Sequence, residues 1–473
     1  MSATETRPDA RANHARANRG AGRTSPLALI VICAGYFLVI LDSMVVNVAL
    51  PSIGHDLRGG VASLQWVVDA YTLSFAGLLL AGGALAERLG GRRVLVSGIA
   101  LFAVASACCG IAPSMAVLIA ARLVQGAGAA LLVPSSLVLL QAAYPTREGR
   151  SRAFGAWGSI AGIGAATGPI IGGLLVTTWS WRGVFFINLP VALAALALAG
   201  RCVPATPRRA RALDLPGQLL AIAGLALLTG ALVQAGRLGW TSPLVLAGFA
   251  VAAAVWATFV ITERRSPDPM LPLALFGRPA FRSGTAVGLL INLGFYGQLF
   301  VISLYFQDLR GYSALRTGVA LLPEAVLLIV ASTMSGRIMA RTGPRGPMLA
   351  GLITGAAGLA GIAAAAGAHT AYALLILPMA AAGFGMALTM PAATAAVMEA
   401  APPDRSGIAS GVVNAARQAG GVLGVALLGT FVSAPSGFAG SLHVALAVAA
   451  GAFVAGAVVV AAGVPRWQRP PSA

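Results

Sequence analysis

The chain contains no lysine and few ionisable residues of other kinds. Its 473 residues include 32 basic side chains, all of them arginine, with 14 acidic residues and four histidines. A P-loop nucleotide site requires the pattern Gly-x4-Gly-Lys-Ser/Thr, so the absence of lysine excludes an ATP-driven pump built on that motif. The histidines are scattered, and no serine lies in a Gly-x-Ser-x-Gly nucleophile elbow. A membrane-embedded enzyme would need clustered catalytic groups and is therefore a poor alternative.

Cysteine is also scarce, with four residues in the chain, at Cys33, Cys108, Cys109 and Cys202. They lie within apolar stretches or at their edges, and the adjacent pair has no metal-ligand spacing. We therefore predict no disulfide framework, no metal site and no cofactor.

Charged residues make up only 10% of the chain, whereas hydrophobic residues make up 58%. A soluble domain carries about 25% charged residues, and the mean hydropathy here is +0.85. These values indicate an all-α polytopic membrane protein, with helices of about 20 residues each to cross the bilayer. We predict fourteen spans, at residues 27–50, 64–86, 93–112, 114–141, 152–177, 183–200, 215–235, 243–262, 282–306, 317–339, 347–367, 371–397, 405–433 and 441–463.

The arginines are distributed unevenly between the two sides of these predicted spans. Twenty-five lie in the two tails and in alternate loops, five lie in the other loops, and two lie within spans. This bias follows the positive-inside rule and predicts a cell-membrane protein with both termini in the cytoplasm. The net charge of +18 is not gathered on one basic face, so we predict no nucleic-acid partner.

Two motifs recur at fixed spacing in the two halves of the chain. Residues 83–92 and 336–345 share the pattern Gly-x4-Arg-x-Gly-x-Arg, and residues 126–134 and 383–391 share Gly-x-Gly-x-Ala-x3-Pro. The repeats predict two pseudo-symmetric six-helix bundles, an architecture typical of transporters. The predicted organisation is a disordered cytoplasmic tail at 1–26, an N-terminal bundle at 27–200, a linker with spans 7 and 8 at 201–281, a C-terminal bundle at 282–463 and a cytoplasmic tail at 464–473.

Three further stretches carry a family resemblance. Span 1 ends in Leu-Asp-Ser-Met-Val-Val-Asn-Val-Ala-Leu-Pro at 41–51, the loop after span 2 reads Gly-Ala-Leu-Ala-Glu-Arg-Leu-Gly-Gly-Arg-Arg at 83–93, and span 5 contains Gly-Ala-Ala-Thr-Gly-Pro-Ile-Ile-Gly-Gly at 164–173. Together they resemble the major facilitator superfamily, and within it the fourteen-span drug:proton antiporters. Glu87 stands where the family usually has Asp, and Met44 where Thr is common.

The glycines of span 5 recur every four residues and form one smooth ridge. Such a ridge lets another helix approach closely, and the proline beside it can bend the helix. Tight packing and gating both explain the pattern; the resemblance, which places this helix between the two halves, favours gating. The residues of this predicted antiporter-motif helix are Gly164, Gly168, Pro169, Gly172 and Gly173.

The loop after span 2 places one acidic residue beside several arginines at the membrane edge. Arginine alone would satisfy orientation, but the double glycine indicates a constrained turn. The resemblance implies a conformational latch between helices that is broken as access alternates. Its predicted residues are Gly83, Glu87, Arg88, Gly90 and Arg92.

Asp42 and Arg122 are charges inside apolar spans, where an ionised side chain is costly. From the predicted span limits, Asp42 lies about 13 Å and Arg122 about 12 Å from the same side, at 1.5 Å per residue. The resemblance implies that both spans line the transport cavity. We hypothesise that Arg122 opposes protonation of Asp42 when it lies close; a static ion pair that only orders helices is the alternative.

Asp69 in span 2 and Glu324 in span 10 are two further candidates for proton coupling. Asp69 shares a helix face with polar side chains but is shallow enough to be simply hydrated. Glu324 is the only carboxylate within the predicted spans of the second bundle. We favour a proton or cation site there.

Residues of two spans predict a candidate substrate pocket. Asn292, Phe295 and Tyr296 lie at helical spacing in span 9, a pattern that packing alone also explains. Arg417 lies in span 13 with Asn414 nearby, and its partner is not evident from the sequence.

The resemblance implies a proton-coupled antiporter that exports small amphipathic drugs or antibiotics by alternating access and works as a monomer. Its expected partners are the small amphipathic substrate, protons and the lipid bilayer. A proton-coupled uptake symporter of the same fold is the nearest alternative. Carboxylates in the cavity would favour cationic substrates and arginines anionic ones, so the sequence leaves substrate charge open, together with the choice between multidrug and single-antibiotic export.

Overall fold

A computed structural model of the protein describes most of the chain between residues 26 and 465. The described ranges are 26–144, 146–206, 214–267, 269–402, 406–433 and 438–465. Apart from their inner edges, the predicted tails at 1–26 and 464–473 lie outside these ranges.

Within the described ranges, fourteen helices are long and apolar enough to cross a membrane, and no β-strand is present. The predicted all-α fold with fourteen spans is confirmed. Spans 1 to 7 are Pro26–Asp56, Val61–Leu89, Gly91–Gly110, Met115–Ala143, Arg147–Thr178, the consecutive pair Gly183–Phe186 and Asn188–Cys202, and Leu215–Leu238. Spans 8 to 14 are Pro243–Arg265, Pro279–Leu304 with a π-helical turn at Tyr305–Leu309, the pair Ala314–Ala320 and Leu322–Thr342, Arg345–Ala365, Ala373–Ala400, Ser406–Val432 and Phe438–Gly463. A 3-10 turn at Leu273–Gly277 precedes span 9.

The predicted end of span 1 at residue 50 is wrong, because the helix continues through Pro51 to Asp56. A proline inside a helix removes one backbone hydrogen bond, but the fully buried Leu50 and Ile53 hold the last turns against the core. Asp42 therefore lies fourteen residues from the helix end. At 1.5 Å per residue, the helix therefore ends about 21 Å beyond Asp42.

Spans 1–6 and 9–14 form the two pseudo-symmetric bundles, and glycines set the closest helix contacts at equivalent places in each. A methyl group on Gly126 would collide with the backbone carbonyl of Tyr71, and one on Gly383 with that of Glu324. Small residues of this kind allow backbones to approach closely where no bulk water drives association. By the repeat spacing, Tyr71 and Glu324 occupy equivalent positions in spans 2 and 10.

Spans 7 and 8 pack beside the junction of the two bundles. Leu225 of span 7 shares an apolar cluster with Leu73 of span 2 and Val422 of span 13, and Trp256 of span 8 covers it. The linker pair thus contacts both bundles where span 2 meets span 13.

The bundles are closed at one side of the molecule. We call the side where span 1 begins and span 14 ends the terminal side. On the opposite side, Gln307 in the π-helical turn of span 9 donates a hydrogen bond to the carbonyl of Val48 in span 1, at 3.0 Å. The backbone N–H of Leu315 in span 10 donates to the hydroxyl of Thr177 in span 5, at 3.3 Å. These contacts join the two bundles directly.

The same helices separate toward the terminal side. Methyl groups placed on Gly155 or Gly158 of span 5, or on Gly336 of span 10, would meet no atom of the described residues within 4 Å. Contact between the two helices begins at Gly162, because a methyl group there would lie 3.8 Å from Ile329 of span 10. The structure is therefore open between spans 5 and 10 on the terminal side.

Candidate functional site

Asp42 and Arg122 form an ion pair inside the N-terminal bundle. The Nη1 of Arg122 lies 2.5 Å from the Oδ2 of Asp42, and the side chains are 1% and 0% exposed respectively. Removing two charges from water costs several kcal/mol per ion, and only good geometry with further hydrogen bonds offsets that cost. The neighbouring side chains determine whether these bonds exist.

Three polar side chains from three different helices complete the pair. Gln125, one turn beyond Arg122 in span 4, accepts from its Nη1 at 2.8 Å and donates to Asp42 Oδ1 at 2.9 Å. Asn188 at the start of the longer helix of span 6 donates to the same Oδ1 at 3.0 Å. Ser106 of span 3 accepts from both amides, at 3.2 and 3.0 Å. Both oxygens of Asp42 are therefore satisfied.

The other faces of the guanidinium are also occupied. The Nε of Arg122 donates to the carbonyl of Val67 in span 2 at 3.0 Å. Its guanidinium carbon lies 4.1 Å from the ring centre of Tyr71 and 5.9 Å from that of Phe185, distances suited to cation–π attraction. This site links spans 1, 2, 3, 4 and 6, so moving Arg122 would disturb most of the bundle.

Asp69 lies in a different environment. It is buried, and neither carboxylate oxygen has a hydrogen-bond partner in the part of the chain that the structure describes. One turn earlier, Gln65 donates to the carbonyls of Val425 and Ala426 in span 13, at 3.1 and 2.8 Å; one turn later, Leu73 packs on the same span. Residues at this spacing share a helix face, which places Asp69 on the face of span 2 directed to the other bundle.

Glu324 is the corresponding buried carboxylate of the C-terminal bundle, with 2% of its surface exposed. Its Oε2 accepts a long bond of 3.5 Å from Gln298 of span 9, and its Oε1 has no partner among the described residues. Three side chains, Arg122, Gln125 and Asn188, donate to Asp42, whereas Glu324 has one weak donor.

The loop after span 2 is a tight turn, as its double glycine predicts. Gly90 has φ +94°, a conformation that glycine adopts without strain. The N–H of Gly91 donates to the Thr206 hydroxyl at 2.7 Å, and Arg92 donates to the Val203 carbonyl at 3.4 Å. Both partners follow span 6, so these contacts lie within one bundle.

Gly83 and Glu87, the other inward-facing residues of this motif, line a cavity of about 610 Å³ on the terminal side, whereas Arg88 is exposed. The cavity is bounded by spans 2, 4, 7 and 13 and by the segment before span 9. Its polar lining comprises Glu87, Gln141, Asp214, Gln218, Ser410 and Asn414.

The glycines of the span 5 motif contact two different helices. The ridge of Gly164, Gly168 and Gly172 packs on span 1; a methyl on Gly172 would lie 2.9 Å from the carbonyl oxygen of Val45. The adjacent Gly173 instead faces span 10, where its methyl would lie 2.6 Å from the carbonyl oxygen of Ala314. The contact between bundles thus depends on Gly173, together with the Pro169 carbonyl that packs against Gly318.

The predicted pocket residues divide by exposure. Asn292 and Phe295 are buried, and the Asn292 amide bonds to the Gly288 carbonyl of its own helix at 2.7 Å. Tyr296 is half-buried, and a methyl group on Gly421 of span 13 would lie 3.5 Å from its ring and 3.9 Å from Thr72 of span 2. Packing therefore accounts for the first two in this conformation, whereas Tyr296 faces the space between bundles.

Sequence reasoning missed the polar residues that complete the site. These are amides and one hydroxyl within apolar runs, the signal that marks intramembrane function, but their partners lie on other helices. The missed residues are Ser106, Gln125, Asn188, Gln298 and Gln307.

Two repeated helical bundles around buried charges, closed on one side and open on the other, define a secondary membrane transporter. The chain belongs to the Major Facilitator Superfamily, whose family model matches residues 32–425. It is thus an integral multi-pass membrane protein of a transporter family, which is not a class of enzymes.

Named relatives are similar over most of their length. The chain is 38% identical to the methylenomycin A resistance protein of Streptomyces coelicolor, over 87% of this chain and 86% of that protein. It is 36% identical to the tetracenomycin C resistance and export protein of Streptomyces glaucescens, over 90% of this chain and 79% of that protein. A solved peptide transporter of the POT family superposes with a TM-score of 0.68 at 17% identity, covering 95% of this chain and 99% of that one; this likeness shows the fold alone.

Proposed function

We propose that the protein is a proton-coupled antiporter that exports small amphipathic drugs or antibiotics across the cell membrane by alternating access. Relatives named as resistance and export proteins support the direction and the substrate class. The excess of arginine on the terminal side supports a cytoplasmic location for that side. The structure then corresponds to an inward-open state. One chain supplies both bundles and the space between them, which is consistent with a working monomer.

The observation that carries the proton coupling is the unpartnered carboxylate of Asp69 at the bundle junction. A buried ionised carboxylate without hydrogen bonds is costly, whereas the neutral acid is tolerated. We therefore assign Asp69 a proton in this closed junction. When the opposite side opens to the outside, Asp69 becomes hydrated and takes up a proton there; substrate that binds from the terminal side then displaces this proton into the cytoplasm.

Asp42 supplies the second part of the cycle. While Arg122 and the amides hold it, a proton competes with the guanidinium for the same carboxylate. A rearrangement that withdraws Arg122 frees Asp42 to accept a proton, and the return of Arg122 expels it. The membrane potential contributes about 2.3 kcal/mol for each charge that crosses 100 mV, which biases proton entry and hence substrate exit.

The test is dye efflux from exporter-deficient bacteria that express the chain, preloaded with either ethidium or fluorescein so that dye charge does not decide the result. Efflux that a protonophore abolishes, and that Asp42→Asn and Asp69→Asn reduce at equal amounts of folded protein in the membrane, supports the proposal. Asp56→Asn is the matched control, because Asp56 lies in an exposed ion pair with Arg182. Protonophore-insensitive efflux contradicts proton coupling, and faster dye accumulation in expressing cells indicates uptake instead.

A further inference from the structure

Arg417 is a guanidinium without a counter-charge among the residues that the structure describes. It is half-buried in span 13, and its Nη1 donates to the Asn414 side chain of its own helix at 3.2 Å. Its Nε is buried without a hydrogen-bond partner, and no carboxylate among the described residues forms an ion pair with it. By contrast, the guanidinium of Arg122 is surrounded by a carboxylate, an amide, a carbonyl and an aromatic ring.

The position of Arg417 is between the bundles. Its side-chain stem passes Gly288 of span 9, since a methyl there would lie 3.2 Å from its Cγ. Gly421, one turn further along span 13, would carry a methyl group 3.5 Å from the ring of Tyr296 in span 9, and Tyr36 of span 1 lies within electrostatic range of the guanidinium. Its one hydrogen-bond partner, Asn414, lines the cavity of about 610 Å³ on the terminal side. Residues three or four apart share a helix face, so Arg417 lies on the same face of span 13 as Asn414, one turn further from the terminal side.

Aromatic surfaces lie near this charge. Tyr36 stacks on Trp157 of span 5, with ring centres 3.7 Å apart and planes 5° from parallel. The Trp157 indole is fixed by a hydrogen bond to the Ser136 hydroxyl at 3.0 Å. Tyr296 approaches from the other bundle, edge-on to Phe295. An unpaired planar cation with aromatic neighbours suits a flat ligand that bears an anionic oxygen group.

We propose that Arg417 anchors a carboxylate or phenolate group of the exported compound, with the Tyr36–Trp157 stack and Tyr296 providing aromatic contact. The proposal rests on the export function and narrows its substrates to aromatic organic anions. The bound anion supplies the acceptors that Arg417 lacks in the protein itself. Charge-assisted hydrogen bonds of this kind are about twice as strong as neutral ones, so the anionic group dominates selectivity.

Two dyes on one scaffold isolate the role of charge. Fluorescein is an anionic xanthene, and tetramethylrhodamine methyl ester is a cationic xanthene of similar size. Fluorescence anisotropy with the purified full-length protein gives Kd for each. We expect the wild type to bind fluorescein more tightly than the ester. Arg417→Gln should reduce that preference about tenfold or more, and Arg417→Lys should retain part of it. Arg237→Gln, an exposed arginine at the end of span 7, should leave it unchanged.

Several results would overturn the assignment. Wild-type protein that fails to bind fluorescein, or an Arg417→Gln variant with unchanged preference, removes the anionic site. If Arg417→Gln weakens the binding of both dyes equally, and Arg417→Lys does not restore it, the role of Arg417 is structural instead. Protonophore-sensitive efflux of ethidium is measured separately. If the protein exports ethidium but does not bind fluorescein, the export function is supported and only the proposed anion site is contradicted.

Discussion

Arg92 and Arg345 make the same contact in the two halves of the molecule. Arg92 donates to the carbonyl of Val203 after span 6, and Arg345 donates to the carbonyls of Ala461 and Val464 at the end of span 14. Each guanidinium thus binds the carboxyl end of the last helix of its own bundle, where free carbonyls and the helix dipole favour a cation. In this conformation the repeated loop motif holds a bundle together.

Replacing either arginine should therefore weaken its own bundle. We expect Arg92→Gln and Arg345→Gln each to lower stability by about 1 kcal/mol, since partly exposed hydrogen bonds to carbonyls contribute about that much. The effects should add, because the sites lie in separate bundles. Arg93→Gln is the matched control, since Arg93 is exposed. Denaturant unfolding in detergent gives the stability of the wild type, the two single variants, the double variant and the control. A double variant whose loss differs strongly from the sum of the two single losses would contradict independent contacts.

The repeat was predictable because its spacing is local. The glycine turn between spans 2 and 3 and its partner between spans 10 and 11 depend only on the order of residues, and both Gly90 and Gly343 adopt positive φ. The partners of Arg92 and Arg345 lie more than 100 residues away. No local pattern predicts such contacts.

The candidate site shows the same limit. Asp42 and Arg122 are recognisable in the sequence as charges in apolar spans. Their similar predicted depths, however, assumed that span 1 ends at residue 50. The helix runs to Asp56, and the ion pair forms because helix packing aligns the two side chains. The contact of Gln125 is predictable, because Gln125 lies three residues from Arg122 on the same helix. The contact of Asn188 is not, because it depends on how span 6 packs on spans 1 and 3.

Asp42→Asn should destabilise the protein far more than the same change at Asp56. It leaves the buried guanidinium of Arg122 without a counter-charge, a loss of about 3–5 kcal/mol. Asp56 and Arg182 are 49% and 34% exposed, and exposed pairs contribute at most about 1 kcal/mol. Thermal unfolding in detergent compares the two variants. Equal shifts would show that water reaches Asp42 and screens the pair.

Asp69→Asn should separate binding from coupling. Asparagine resembles the neutral acid that we assign to this junction, so we expect near-normal stability and substrate binding. Proton release on substrate addition should be lost, because the side chain no longer titrates. A pH-sensitive dye with protein in detergent measures that release at several pH values, and Thr72→Val on the same span is the control. Undiminished release in Asp69→Asn would move the coupling site to Asp42 or Glu324.

The neighbouring glycines Gly172 and Gly173 should produce different defects when each is replaced by alanine. A methyl at 172 presses on Val45 of span 1, within one bundle, whereas a methyl at 173 presses on Ala314 of span 10, across the closed side. Overpacking costs about 1–3 kcal/mol. Gly172→Ala should therefore lower the stability of the N-terminal bundle, whereas Gly173→Ala should weaken closure of the opposite side. Gly158→Ala, whose methyl meets no atom within 4 Å, should do neither.

Closure is measured through a single cysteine at Ala314→Cys, in a background whose four native cysteines are replaced by alanine. Ala314 is 6% exposed when the bundles touch, so a water-soluble maleimide labels this position only after they separate. Gly173→Ala should raise the labelling rate severalfold or more, since 1–3 kcal/mol corresponds to a factor of about 5 to 150 in the population of the open state. Gly172→Ala should change unfolding more than labelling. If both variants label at the Gly158→Ala rate, the contact of Gly173 with Ala314 does not control the opposite side, and closure depends on other contacts such as that between Gln307 and Val48.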